Sequence, residues 1–204
     1  MQVNLHNCDC MAFMADIPDQ YYDLAVVDPP YGLPKDSSNG RGKLKNRAFN
    51  TGHISTWDTP PKQEYFSELF RVSKNQIIWG GNYFGLPPCR CFLVWDKIQP
   101  WKNFSQCEYA WTSFSSPAKI FQFDNRTGGK IHPTQKPVAL YNWIFREFVK
   151  EGDKVLDTHG GSMSSAIAAY DFGDGVFDLC EIDPAYFAAG KQRFEAYSSQ
   201  GKLF

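Results

Sequence analysis

KVLDTHGGSMSSAIAAYDFGDGVFDLCEID, residues 154–183, is the stretch that decides the fold. Four residues ending at Asp157 suit a strand, and Gly160 with Gly161 turns the chain. SSAIAAY (164–170) then suits a helix, VFDLCEID (176–183) a second strand, and residues 185–197 a last helix. The order β-turn-α-β-α belongs to an α/β domain. A helix that begins just after a glycine turn presents free N–H groups and the positive end of its dipole, which favours a carboxylate or phosphate. Glu181 stands 20 residues past Gly161. Nucleotide-binding βαβ units place there an acid that accepts from ribose hydroxyls. The plainer alternative is an ordinary strand-helix turn and a surface glutamate.

Upstream, DLAVV (23–27) is a continuous apolar run of strand length, as found in parallel strands buried on both faces. It stops at Asp28-Pro29-Pro30-Tyr31, because two prolines cannot continue a ladder. VNLHN (3–7) reads as a strand and CMAFMADI (10–17) as one or two helical turns. KQEYFSELFRVS (62–73) places Tyr65, Phe66, Leu69 and Phe70 at helical spacing. QIIWG (76–80), CFLVW (91–95), CEYAWT (107–112) and the alternating AKIFQF (118–123) suit strands. From Pro137 to Lys150 a helix is expected, with Val138, Tyr141, Ile144, Phe145 and Phe148 on one face and Gly152 beyond its end. Residues 32–60 are rich in turn formers, and so long an irregular stretch is expected to be functional or mobile.

With 204 residues, 43% hydrophobic and 21% charged, the chain suits one domain with a buried core. No apolar run approaches the roughly 18 residues of a membrane span, and the start has no signal-peptide pattern, so a soluble intracellular protein is expected. The six cysteines are read as reduced thiols packing like small hydrophobes. Cys8/Cys10 and Cys89/Cys91 are spaced C-x-C rather than the C-x-x-C usual for zinc, and no metal site is expected. A net charge of −1 hides segregation: residues 1–31 hold five acids and no Lys or Arg, and residues 138–204 are also acidic. Between them, 32–50 and 86–137 each carry a net +4. Such basic stretches suit a polyanion like nucleic acid, or are simply solvated loops.

The tetrapeptide Asp28 to Tyr31 falls at the C-terminal end of a buried strand, where open α/β sheets bind ligands. The Asp28 carboxylate and the Pro29 carbonyl are adjacent acceptors, which suit the two protons of an exocyclic –NH2. Tyr31 adds a flat face for a base ring. Two acceptors draw a conjugated amine toward tetrahedral geometry and aim its lone pair at an electrophile, by positioning and electrostatics. A turn that merely caps the strand is the competing reading.

These motifs resemble the amino-group DNA methyltransferases that use S-adenosylmethionine, in the circularly permuted order with the catalytic half first. Asp28 to Tyr31 is similar to the family's catalytic D-P-P-Y, and Asn7-Cys8-Asp9-Cys10 to its G-D-C segment, whose Asp contacts the cofactor's adenine. His132-Pro133-Thr134-Gln135-Lys136-Pro137 resembles H-x-T-x-K-P, ahead of the helix that covers the methionine end. Asp157 to Ser165 resembles D-P-F-x-G-x-G-T-T, and Glu181 the ribose-binding acid. The resemblance implies a Rossmann-like, doubly wound, mostly parallel sheet in a single domain over 1–204. The catalytic half would run to about 96, a short target-recognition segment over 97–130, and the cofactor half from 131. It implies catalytic Asp28, Pro29, Pro30 and Tyr31. The cofactor residues would be Asp9, Asp28, His132, Thr134, Gln135, Lys136, Pro137, Asp157, Thr158, His159, Gly160, Gly161, Ser162, Glu181 and Ile182.

The chain departs from that pattern at Thr158-His159, which stand for Pro-Phe, at Met163 for the second glycine, and at Cys8 before Asp9. Met163 is expected to crowd the ligand's approach, since glycine lets backbone come close. His159 either replaces the aromatic face against the cofactor or is a satisfied surface histidine. The implied reaction is methylation of adenine N6 in double-stranded DNA, with the base flipped out and stacked on Tyr31. Arg41, Lys43, Lys45 and Arg47, then Lys97, Lys102, Arg126 and Lys130, are expected at nucleic acid, where phosphate contacts raise affinity without reading sequence. Trp101, Asn103, Gln106, Lys119 and Asn125 lie in the same segment, and Trp101 and Phe104 are expected to pack. The short segment suggests either a short target or a second subunit sharing the duplex, and the resemblance implies a homodimer and the cytoplasm of a bacterial or phage-infected cell. The alternatives are N4-cytosine methylation, an inert DNA-binding or partner subunit, and an RNA or protein amide as substrate.

Overall fold

In the computed structural model, which describes residues 1–32, 59–100, 105–124 and 135–200, the apolar run before Asp28 is the centre of the sheet. This strand, β2 (Tyr22–Val27), sends Leu24 and Val26 to one face and Ala25 and Val27 to the other. All four are at most 1% exposed. That is why the run is continuously apolar rather than alternating. The other elements are β1 (Gln2–His6), α1 (Cys10–Ala15), α2 (Gln63–Val72), β3 (Ser73–Trp79), a single 3₁₀ turn (Gly81–Tyr83) and β4 (Phe92–Asp96). They continue with β5 (Cys107–Thr112), β6 (Lys119–Gln122), α3 (Val138–Phe148), β7 (Lys154–Asp157), α4 (Ser164–Phe172), β8 (Val176–Cys180) and α5 (Pro184–Ser198).

The eight strands form one sheet in the order β1-β8-β7-β2-β3-β5-β4-β6. Every pairing is parallel except those of β5 with β3 and with β4. The mostly parallel α/β sheet agrees with the expectation. One face packs on α3 and α4 through Leu140, Ile144, Phe145, Ala166 and Ala169, and the other on α1 and α2 through Met14, Tyr65, Phe66 and Leu69. Helices on both faces make it doubly wound. Strand β2 lies between β3 and β7, so the chain winds one way from β2 and the other way from β7. This reversal opens a crevice at the carboxyl ends of β2 and β7.

Two boundaries differ from expectation. Strand β3 begins at Ser73, directly after α2, rather than at Gln76, because its early residues pair with β2 from Tyr22 onward. Strand β8 ends at Cys180, not at Asp183. Glu181 bends the chain by accepting from Asp183 N–H at 2.9 Å, and Asp183 then caps α5 by accepting from Ala185 and Tyr186 N–H. None of the six cysteines is in a disulfide. Among the described residues no helix is long and apolar enough to cross a membrane.

Candidate active site

Asp28 and Asp157 end neighbouring strands. Leu24 pairs with Val155 and Ala25 with Leu156, which brings segments more than 120 residues apart to one end of the crevice. A cavity of about 460 Å³ opens there, lined by Cys8, Asp9, Pro30, Tyr65, Thr158, His159, Glu181 and Ile182 among others. Pro30 of the Asp28–Tyr31 segment and Thr158 and His159 of the glycine-turn segment thus line the same space.

At the end of β2, the Asp28 carboxylate is held from two sides. Tyr31 donates its hydroxyl to Oδ1 at 2.7 Å, and Lys136 Nζ pairs with Oδ2 at 2.5 Å. Lys136 also donates to the Tyr31 oxygen at 3.2 Å and pairs with Glu108 at 3.0 Å. Its ammonium lies 5.3 Å from the centre of the Trp79 ring and 5.7 Å from that of Tyr31. Lys136 was expected on the cofactor; its ammonium is instead committed to two carboxylates, with a side chain only 3% exposed. Burial lifts the Asp28 carboxyl above its ordinary value, against the pull of Lys136 and with a further push from Glu108. Glu108 is half-buried, but it faces two ammoniums, Lys136 and Lys97, and falls to about 2.

The Tyr31 ring rests against Gly80, whose φ of +70° and missing Cβ make room for it. One face of the ring is stacked on Tyr83, with centroids 5.0 Å apart. Tyr83 is 49% exposed and belongs to the 3₁₀ turn, which the sequence reading missed.

At the glycine turn, Asp157 accepts from His159 N–H at 3.0 Å and from the Ser165 hydroxyl at 2.6 Å, tying the loop to α4. It is 2% exposed, and burial pushes its carboxyl up to about 7. Glu181 Oε2 accepts from Gly161 N–H at 2.7 Å. The acid expected on a ribose thus also shapes the loop. Asp9 likewise caps α1 by accepting from Met11 N–H at 2.7 Å. Ser162 accepts at its carbonyl from Arg193, Gly160 donates its N–H to the Cys180 carbonyl at 2.8 Å, and Ile182 is 61% exposed. Pro137 is the N-cap of α3, with Gln135 just ahead of it.

His159 is half-buried on the cavity wall, and desolvation lowers its pKa to about 4, so the ring is neutral at pH 7. Its Nδ1 is 2.9 Å from Thr158 Oγ1, which is 2.6 Å from the Tyr65 hydroxyl. Tyr65 is 4% exposed, and Thr158 is its hydrogen-bond partner. Either oxygen of the Tyr65–Thr158 pair can donate; with Tyr65 as the donor, Thr158 donates on to Nδ1. The proton of His159 is then on Nε2, a donor set by its neighbours. Tyr65, Tyr83 and Glu108 stand against the motif residues Thr158, Tyr31 and Lys136, and only the fold brings them there.

Met163 does not crowd the loop. It adopts the left-handed conformation a glycine would favour, φ +59°, but its side chain is fully buried in the core against Gly190 of α5. Lys97, expected on phosphate, pairs with Glu108 at 2.7 Å and is only 12% exposed, so its charge is neutralised internally. Lys119 similarly pairs with Glu147 at 2.9 Å. Arg41, Lys43, Lys45, Arg47, Trp101, Lys102, Asn103, Phe104, Asn125, Arg126, Lys130, His132 and Thr134 lie outside the described residues.

A family model described as DNA methylase, of the N6/N4 amino-methyltransferases, matches residues 78–192, more than half of the chain. Over 217 aligned residues the chain is 24% identical to the type II methyltransferase M2.MboI of Moraxella bovis, covering 81% of this chain and 78% of that one. It shares its fold with the M1.HpyAVI–SAM complex, at a TM-score of 0.63 and 18% identity over 94% of this chain and all of the other. It shares it also with the cytosine-N4-specific PvuII DNA methyltransferase, at 0.63 and 15% identity over 98% and 91%.

Proposed function

The chain belongs to the N6/N4 DNA methylase family, and from that premise we propose that it methylates the exocyclic N6 of an adenine flipped out of double-stranded DNA, with S-adenosylmethionine as donor. The observation that carries this reading is the register of β2 on β7, which sets the Asp28 acceptor and the Asp157–Met163 turn on one crevice. The cavity there is within the roughly 300–1,000 Å³ usual for cofactor sites. Its residues fit the cofactor in kind: Glu181 and Asp9 as acceptors for ribose and adenine, the His159 Nε2–H as a donor, and Ile182 and Tyr65 as apolar walls. When bound, S-adenosylmethionine supplies an electrophilic methyl group on a sulfonium.

The chain's own residues then have a positioning task. Among the described residues Tyr31 donates to one Asp28 oxygen and Lys136 to the other, and each oxygen has a second lone pair to offer an amine proton. The Pro29 carbonyl takes the other proton, and the nitrogen lone pair is aimed across the crevice. The flipped base stacks against the Tyr31–Tyr83 pair. Asp28, with its carboxyl above the ordinary range, receives the proton the amine gives up. Phosphates are held by the basic segment 41–47, and a homodimer on the duplex suits the short recognition segment.

The test is incubation of unmethylated DNA with protein and S-adenosylmethionine, followed by digestion to nucleosides and mass spectrometry. N6-methyladenine is expected, and its loss in Asp28→Ala with cofactor binding largely kept. N4-methylcytosine would overturn the base assignment, which the PvuII likeness keeps in view, and wild-type turnover in Asp28→Ala would overturn the site. An inert partner subunit is the weaker reading, because the Met163 side chain that motivated it is buried in the core.

A further inference from the structure

We propose that Glu108 is a positioning residue that holds Lys136 on the catalytic carboxylate and, with Lys97, sets how strongly Asp28 accepts the amine's protons. The inference rests on Asp28 being the acceptor. Four side chains of alternating sign run inward from Lys97 to Glu108, Lys136 and Asp28, with contacts of 2.7, 3.0 and 2.5 Å. They come from separate elements. Lys97 follows β4, Glu108 lies on the antiparallel β5 opposite Trp95, and Lys136 precedes the Pro137 cap of α3. Lys136 is 4% exposed and roofed by the Trp79 and Tyr31 rings, so water does not share its ammonium.

The physical consequence follows from charge sharing. An ammonium aimed at Asp28 alone would neutralise much of that carboxylate and weaken it as an acceptor. Glu108 takes up part of the Lys136 charge, and Lys97 in turn takes up part of the charge of Glu108. The groups facing Asp28 are Lys136, Glu108, the hydroxyl of Tyr31, Tyr141 of α3 and Asp157 across the crevice. Nothing in the spacing of the motifs requires an acid at 108 or a base at 97.

Two variants push Asp28 in opposite directions. Glu108→Gln removes a negative charge and leaves Lys136 wholly to Asp28, so the Asp28 carboxyl titrates lower. Lys97→Met strengthens the hold of Glu108 on Lys136, so it titrates higher. The measurements are the acidic limb of the single-turnover pH profile and the carboxyl carbon resonance of Asp28, assigned by its loss in Asp28→Asn. Opposite displacements of about half a pH unit or more are expected. Glu108→Gln should also lower the plateau rate about tenfold or more, with S-adenosylmethionine affinity by calorimetry within about twofold of wild type. Displacement of both variants in one direction, or none in either, overturns the proposal. If wild-type protein transfers no methyl group, the reading of Asp28 as acceptor fails, while the resonance still decides whether Glu108 and Lys97 tune it. Should Glu108→Gln not fold, Lys97→Met, at the outer end of the chain of charges, decides alone.

Discussion

Asp157 gives the sharpest single-residue consequence. Its carboxyl sits at about 7 in the folded protein against an ordinary 3.8, because burial penalises the charge more than Ser165 and His159 N–H offset it. A raised carboxyl binds its proton more tightly folded than unfolded, so its stabilising contribution is full below about pH 4 and is lost as pH rises to about 7. At about 1.4 kcal/mol per unit, the loss is on the order of a few kcal/mol. Asp157→Asn keeps an acceptor for His159 and removes this slope. Chemical denaturation of both proteins from pH 4 to 8 should show the variant gaining on wild type as pH rises; a constant difference would refute the buried-charge account. His159 acts in the opposite sense, because its depressed pKa costs stability as pH falls from about 6.5 to 4, which is why the comparison is made between variants.

Tyr65 offers a second test at this scale. Tyr65→Phe removes the donor that fixes Thr158 and, through it, the His159 tautomer. Leaving the buried Thr158 oxygen short of a partner costs about 1–3 kcal/mol. Affinity for S-adenosylmethionine should fall about tenfold by calorimetry, and an unaltered dissociation constant would show that the Nε2 donor is not used. The motif letters at 157–161 were legible beforehand, but the direction of their hydrogen bonds was not, because it depends on a tyrosine some 90 residues earlier.

Among the elements, the contact between α4 and α5 decides how the glycine turn is supported. Gly190 lies where α5 crosses the turn, and a Cβ there would stand 2.6 Å from Met163 Cγ and 2.8 Å from the Gly161 carbonyl. Gly190→Ala should therefore destabilise the fold by about 1–3 kcal/mol and disturb the turn, read as a lower thermal midpoint with weakened cofactor binding. A midpoint equal to wild type would mean that the helices separate at little cost. Because Met163 replaces a motif glycine, the sequence alone places it as an intruder on the ligand side. What it could not supply was the side chain's direction, which the left-handed backbone at 163 turns into the core. The strand ends went astray for a related reason. Period and propensity mark where a ladder is possible, whereas Glu181 and Asp183 end β8 through capping bonds formed in the fold.

For the whole molecule, the crevice proposed for the cofactor joins the first and last thirds of the chain through β2 and β7. A ligand bound there stabilises the folded state by mass action, about 2.7 kcal/mol at a hundredfold excess over its dissociation constant. S-adenosylmethionine should raise the thermal midpoint of the wild-type protein by several degrees in a concentration-dependent way, and the midpoint of Asp28→Ala nearly as much. No rise at millimolar concentration would remove the crevice from consideration as the cofactor site. Charge is also a property of the whole. The basic stretch 86–137 carries a net +4, yet Lys97 and Lys136 are paired internally with Glu108 and Asp28, while Lys119 meets Glu147 at the surface. Net charge along a sequence counts the residues but not their partners.

The sequence by itself determined the α/β class, the strand that ends at Asp28, the glycine turn after Asp157 and the acid at Glu181, because each is written in local chemistry: apolar runs, proline breaks, glycine turns and fixed spacing. The tertiary structure alone decided that the ends of β2 and β7 meet, that Lys136 pairs with Asp28, that Glu108 and Lys97 stand behind it, and that Met163 faces inward. Those facts depend on strands paired across more than a hundred residues and on charges that choose partners only after burial has removed the water between them.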